Sequence, residues 1–118
     1  MTAGTYDFTI EQGTDLSKTM TFYTDSTKTT TVDLSSVTMR MQIRNEKNSV
    51  DFIDELTDSN SRINTDDAAT GVIILIWADL VTTAFDFATA VYDLEFEEGG
   101  VITRILEGSI TLNKEVTK

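Results

Sequence analysis

Asp66 and Asp67, with Asp58 and Asn64 close by in the chain, carry the oxygens that could be offered to a calcium ion. Their spacing matches no calcium loop, and paired acids in a polar turn are ordinarily just solvated, so no metal is assigned to them. Glu97 and Glu98 are an adjacent carboxylate pair. Glycoside hydrolysis needs two carboxyls held on opposite sides of a cleft, one with a raised pKa, and two neighbours at an exposed hairpin tip do not supply that. Gly99-Gly100 is not a phosphate loop: no helix follows to lend its free amides, and no Lys-Ser/Thr closes the motif. Both glycines read as a turn.

Two absences narrow the chemistry further. The chain has no histidine and no cysteine. That removes disulfides, Cys-ligated zinc, iron–sulfur clusters and thiol nucleophiles, and a Ser-His-Asp triad cannot be assembled. The sequence therefore points to no enzyme and no cofactor. The formal net charge of -11 repels phosphate backbones and anionic headgroups, so neither nucleic acid nor membrane is expected as a partner, while a basic protein surface is compatible. Met1-Thr2-Ala3-Gly4-Thr5 lacks the basic and apolar regions of a signal peptide, and the longest apolar run, residues 72–77, is too short to span a bilayer. The expectation is a soluble protein made in the cytoplasm.

The elements that would position any site are strands. Threonine, β-branched and at home on a half-wet pleated surface, makes up roughly one residue in six, and proline is absent. Tyr6, Phe8 and Ile10 alternate with polar residues, then Gly13 and Asp15 mark a turn. Residues 16–23 read as a second strand, with Met20 and Phe22 on one face, and the polar stretch 24–31 as an exposed hairpin loop. Val37, Met39, Met41 and Ile43 alternate with Thr38, Arg40, Gln42 and Arg44, the clearest amphipathic strand in the chain. Residues 50–53 could add a short strand, 54–62 read as loop, and Ile63-Asn64 as a brief strand. Residues 72–77 are apolar on both faces, which predicts a strand covered on two sides. Residues 78–84 hold the one plausible helical turn.

Ala90, Tyr92, Leu94 and Phe96 lead into Gly99-Gly100, and Val101, Thr103 and Ile105 lead out, which predicts a hairpin with a two- or four-residue connection. Asp93 and Glu95 then lie on the other face with Ile102, Arg104 and Leu106, allowing a charge pair to Arg104. Gly108 marks a bulge or bend. About seven short strands with at most one helical turn predict an all-β, antiparallel β-sandwich of immunoglobulin-like architecture, one domain over residues 1–118. Trp77 is read as core in the first instance. With Phe85 and Phe87 it is also the candidate interface, because exposed rings there would make an apolar docking patch.

The order of these pieces resembles the N-terminal domain of phage baseplate upper proteins and related short phage tail proteins. The matching stretches run from Tyr6-Asp7-Phe8-Thr9-Ile10 with its Gly13-Thr14-Asp15 turn, through Asp33-Leu34-Ser35 before the amphipathic strand, to Thr70-Gly71-Val72-Ile73-Ile74. They close with Ala90-Val91-Tyr92-Asp93-Leu94-Glu95-Phe96 and the strand beyond Gly99-Gly100. The resemblance covers almost the whole chain. It implies a β-sandwich module that attaches fibre or receptor-binding proteins to a tailed phage virion in several symmetric copies. Other virion proteins would be its partners, and it carries over no catalytic residues. Baseplate upper proteins continue into further domains, so this chain would be the module alone. A capsid decoration protein and a free-standing bacterial carbohydrate- or surface-binding sandwich are the alternatives.

Overall fold

The computed structural model describes residues 4–23, 27 and 30–116. Among them run strands β1 (Gly4–Thr5), β2 (Phe8–Glu11), β3 (Leu16–Thr21), β4 (Thr38–Arg44), β5 (Asp54–Thr57), β6 (Ile63–Asn64), β7 (Val72–Trp77), β8 (Thr89–Glu98) and β9 (Val101–Asn113). A single 3-10 turn, Ala68–Thr70, and a six-residue helix α1, Asp79–Ala84, interrupt them. The larger sheet has the order β9-β8-β4-β5, with β1 and β2 sharing one lane along the outer side of β9. The smaller sheet is β3-β7-β6. The two pack as a sandwich, as the period-two patterns predict.

Alternation places the core. Met39, Met41 and Ile43 of β4 and Ala90, Tyr92, Leu94 and Phe96 of β8 point inward, and Ile73, Leu75 and Trp77 of β7 meet them from the other sheet. Aromatic contacts bridge the layers: Phe8 lies 5.8 Å from Trp77 and Phe22 lies 5.5 Å from Phe96, edge to face. The outward residues of β7, namely Val72, Ile74 and Ile76, are half-buried, so this strand is fully covered on one side only. Asp33 forms a local turn by accepting the amide and hydroxyl of Ser35, which holds its carboxyl below the usual range and lets Leu34 drop into the core.

Helix α1 is too short to stand on propensity and is held by the turn after β2. Asp15 accepts the Asp79 amide at 2.7 Å, and Gln12 donates to the Phe85 carbonyl at 2.8 Å. The fully buried Thr82 hydroxyl accepts from Gly13 N at 3.0 Å and donates to Thr14 O at 2.8 Å. Thr82→Val keeps the shape and removes both bonds, leaving an amide and a carbonyl unmatched. A loss of about 2 kcal/mol, read as a lower urea midpoint, is expected.

Several expectations need correction. The segment 50–53 is not a strand, and Val50 is 92% exposed; the pairing begins at Asp54 instead. β5 escapes a hydrophobicity pattern because Leu56 is its only buried residue, while Arg62 pairs with Asp54 and Gln42 donates a hydrogen bond to Glu55. The sheet is not wholly antiparallel, since β1 and β2 run parallel to β9. Leu106, expected on the polar face, is buried opposite Leu94. The bulge sits at Ile105, where the register moves from Leu94–Leu106 to Glu95–Arg104, and inverts the facing beyond it. Gly108 serves close approach rather than a bulge. The β8–β9 connection is the two-residue Gly99-Gly100 turn, with φ 59° and 84°, as a type I′ hairpin requires. Part of the expected loop 24–31 lies outside the described residues; Tyr23 and Thr31 bridge at its base.

Candidate functional site

Alternation that sends the apolar half of β4, β8 and β9 inward leaves the polar half on the outer face of the larger sheet. The bulge at Ile105 returns Arg104 and Glu107 to that same face. The face encloses an open trough of about 660 Å³, lined by β4, β8, β9, the β1–β2 break and the turn after β4. Its charged lining is Arg40, Arg44, Lys47 and Arg104 against Asp7, Asp93, Glu95 and Glu107. Four of the nine basic residues of a chain with net charge -11 are thus gathered in one place. The trough is electrically balanced where the rest of the protein is acidic.

The pairs inside it are loose. Arg104 Nε lies 3.3 Å from Asp93, Lys47 3.4 Å from Glu107 and Arg40 3.5 Å from Glu95. Arg62 and Asp54, outside the trough and better buried, instead make a two-point contact at 2.6 and 2.9 Å. Asp93 and Glu107 stand directly opposite each other on β8 and β9, a like-charge pair across the strands. Burial, reinforced by Glu95 and Glu107 and opposed by Arg104 and Arg44, holds the Asp93 carboxyl above the usual carboxylate range. On the core side of the same sheet the Tyr92 hydroxyl donates to Tyr6 O at 2.5 Å, and burial, with Asp7 and Tyr6 adding to it, keeps that hydroxyl protonated well beyond the usual range.

A raised Asp93 pKa means that the fold binds this proton more tightly than the unfolded chain does. Its contribution to stability is present at low pH and is lost as pH rises through the carboxylate range. Asp93→Asn removes the penalty. The variant is expected to match or exceed the parent at pH 7, by at most about 1 kcal/mol after solvent screening, and the difference should close near about pH 3. Paired urea titrations at the two pH values check this.

The expected interface is not on the surface. Trp77, Phe85 and Phe87 are all buried in the core, with Phe85 and Phe87 in contact at 5.3 Å. The reason is that β7 ends beneath Phe8, and the chain beyond α1 folds back under Gln12 to begin β8. Trp77 takes the core role, and these rings cannot touch a neighbour in this conformation. Asn64 and Asp66 bond to each other within one turn, Asp58 belongs to another, and among the described residues no three acidic side chains converge as a metal site would need. Glu97 and Glu98 lie exposed at the hairpin, with Ser36 bonded to Glu98.

Apart from Tyr6, which lies beside the middle of β9, the large apolar side chains that face solvent among the described residues lie toward the two ends of that strand. Its thirteen residues, at about 3.3 Å each, make a strand about as long as the 43 Å long axis of the molecule. At the hairpin end Val101 and Ile102 are 66% and 56% exposed. At the other end Leu80 on α1 and Val116 beyond β9 are 81% and 97% exposed, and the loop carrying Val50 and Phe52 leaves β4 on the same side. The signal in the sequence was the apolar pair beside Gly99-Gly100, at positions where a hairpin tip ordinarily carries polar residues.

Among the described residues no helix is long and apolar enough to cross a membrane. No family model matches the chain, and no curated protein matches it significantly.

Proposed function

We propose that this chain is a structural protein of a tailed bacteriophage virion: a non-enzymatic β-sandwich adaptor in the tail, baseplate or neck that docks fibre or receptor-binding components. The observation that carries the reading is the exposure of apolar side chains at both ends of one long strand, Val101 and Ile102 at one and Leu80 and Val116 at the other. A lone binding module needs one such surface; a subunit inserted between two neighbours needs two. The order of the Gly-Thr-Asp turn, the Asp-Leu-Ser element and the Gly-Gly hairpin, which resembles the baseplate upper family, supports a place on the virion. Acidic flanks at both ends, with Glu97 and Glu98 at one and Asp15 and Asp79 at the other, favour basic counterparts and disfavour end-to-end contact between copies.

Mass spectrometry of purified particles encoded by the same genome tests the reading. The chain is expected among the stoichiometric virion proteins. Its absence from complete, infective particles would overturn the assignment.

A further inference from the structure

The trough on the outer face of the larger sheet is not used by docking through the two ends, and its construction calls for a ligand of its own. We propose that it binds a neutral polyhydroxylated ligand, a saccharide, held by hydrogen bonds from its paired charges. The proposal concerns the isolated chain and is independent of the virion assignment.

Three features carry it. The first is the contrast between ion pairs within one protein. Arg62 grips Asp54 at two points, the tightest use of both groups, whereas Arg104, Lys47 and Arg40 approach their carboxylates singly at 3.3–3.5 Å. The trough pairs therefore keep carboxylate lone pairs and guanidinium N–H groups available for a ligand. The second is the facing of Asp93 and Glu107 across β8 and β9, with Gln42 next to Asp93 on β4. Like charges directly opposite weaken a sheet, and the next rung, Val91 opposite Ser109, shows that the strands pair without them. Positions where a sequence works against its own fold are where function is expected. The third is size: about 660 Å³ lies within the range of small-molecule sites, roughly 300–1,000 Å³.

The balance of charge selects the ligand class. A polyanion placed here meets Asp93, Glu95 and Glu107, and a polycation meets Arg40, Arg44 and Arg104. A hydroxyl donates to the carboxylates and accepts from the guanidinium groups, so it satisfies both without leaving either charge desolvated. Among the described residues Tyr92 is the one aromatic in the lining, and its ring is buried with its hydroxyl already committed to Tyr6 O. Recognition rests on hydrogen bonds and not on ring stacking. A single site of this kind gains strength when many copies act together.

The test is amide NMR of the isolated chain, titrated separately with neutral hexasaccharides of glucose, galactose and N-acetylglucosamine, and with hexalysine and hexaglutamate. At least one saccharide is expected to give saturable shifts centred on Gln42, Asp93, Glu107 and Ser109, leaving β3 and β6 unmoved. Asp93→Asn is expected to weaken that binding about tenfold while its thermal midpoint stays equal or rises, which a purely structural role would not produce. Arg104→Gln is expected to weaken it similarly. No saturable shift with any of the three saccharides overturns the proposal, as do shifts centred elsewhere or unchanged binding by both variants. Tighter binding of either charged peptide at the same amides overturns the neutral class.

Discussion

Trp77→Ala is expected to lower folding stability by about 4 kcal/mol, in the range for emptying a buried aromatic site. Trp77 is fully buried, packs on Phe8 at 5.8 Å and ends the central strand of the smaller sheet. A loss of that size is a large part of the roughly 5–15 kcal/mol that holds a domain folded, so the variant should be partly unfolded at 37 °C. Trp77→Phe separates packing from polarity. The indole Nε1 has no hydrogen-bond partner among the described residues, and a buried orphan donor costs about 1–3 kcal/mol. Phenylalanine removes it along with some volume, so a net change under about 2 kcal/mol is expected. Far-UV circular dichroism in urea is the readout, because the chain has a single tryptophan and both variants lose its fluorescence. An interface tryptophan would give the opposite pattern: normal stability and impaired assembly.

Gly108→Ala is the second large effect, about 3 kcal/mol, from overpacking against backbone that cannot yield. A Cβ at Gly108 would stand 2.0 Å from the Tyr6 carbonyl oxygen. That oxygen is fixed by the Tyr92 hydroxyl, while Tyr6 N donates to Glu107 O and Ser109 N to the Asp7 carboxylate. The substitution therefore pushes apart the β1–β2 lane and β9 at the point where these three hydrogen bonds meet. Gly99→Ala offers the contrast. A Cβ there meets nothing within 4 Å, and the cost is confined to a φ of 59°, about 1 kcal/mol. Comparing the thermal midpoints of the two variants checks the ranking; equal losses would mean that close approach at Gly108 is not what holds the lane.

Much of this architecture is legible from side-chain alternation. Met39, Met41 and Ile43 placed β4, and Gly99-Gly100 placed the hairpin, because each local preference agrees with the burial that the fold imposes. Three things were not legible. β5 has one buried apolar residue, so its existence depends on Arg62 and Gln42 arriving from elsewhere in the chain. The extra residue at Ile105 looks like any other β-branched position, yet it inverts the facing of Leu106 and brings Glu107 opposite Asp93. The parallel lane of β1 and β2 is a long-range pairing that no local period encodes. The trough depends on the last two, the bulge and the parallel lane, so its residues could be read as outward-facing charges but not as one cavity. Phe85 and Phe87 illustrate the converse. Aromatic residues after a short helical turn look available, and only the return of the chain beneath Gln12 encloses them.

With those rings in the core, the exposed apolar side chains at the ends of β9 are the ones the proposed docking would use, and the trough is left open on the side. Electron cryomicroscopy of intact virions tests the assembly reading most directly. Density for this sandwich is expected to repeat around a symmetry axis, with the Val101–Ile102 end and the Leu80–Val116 end each against a different subunit. A complete map whose every protein density belongs to other chains, or one in which both ends of this chain face solvent, would contradict it.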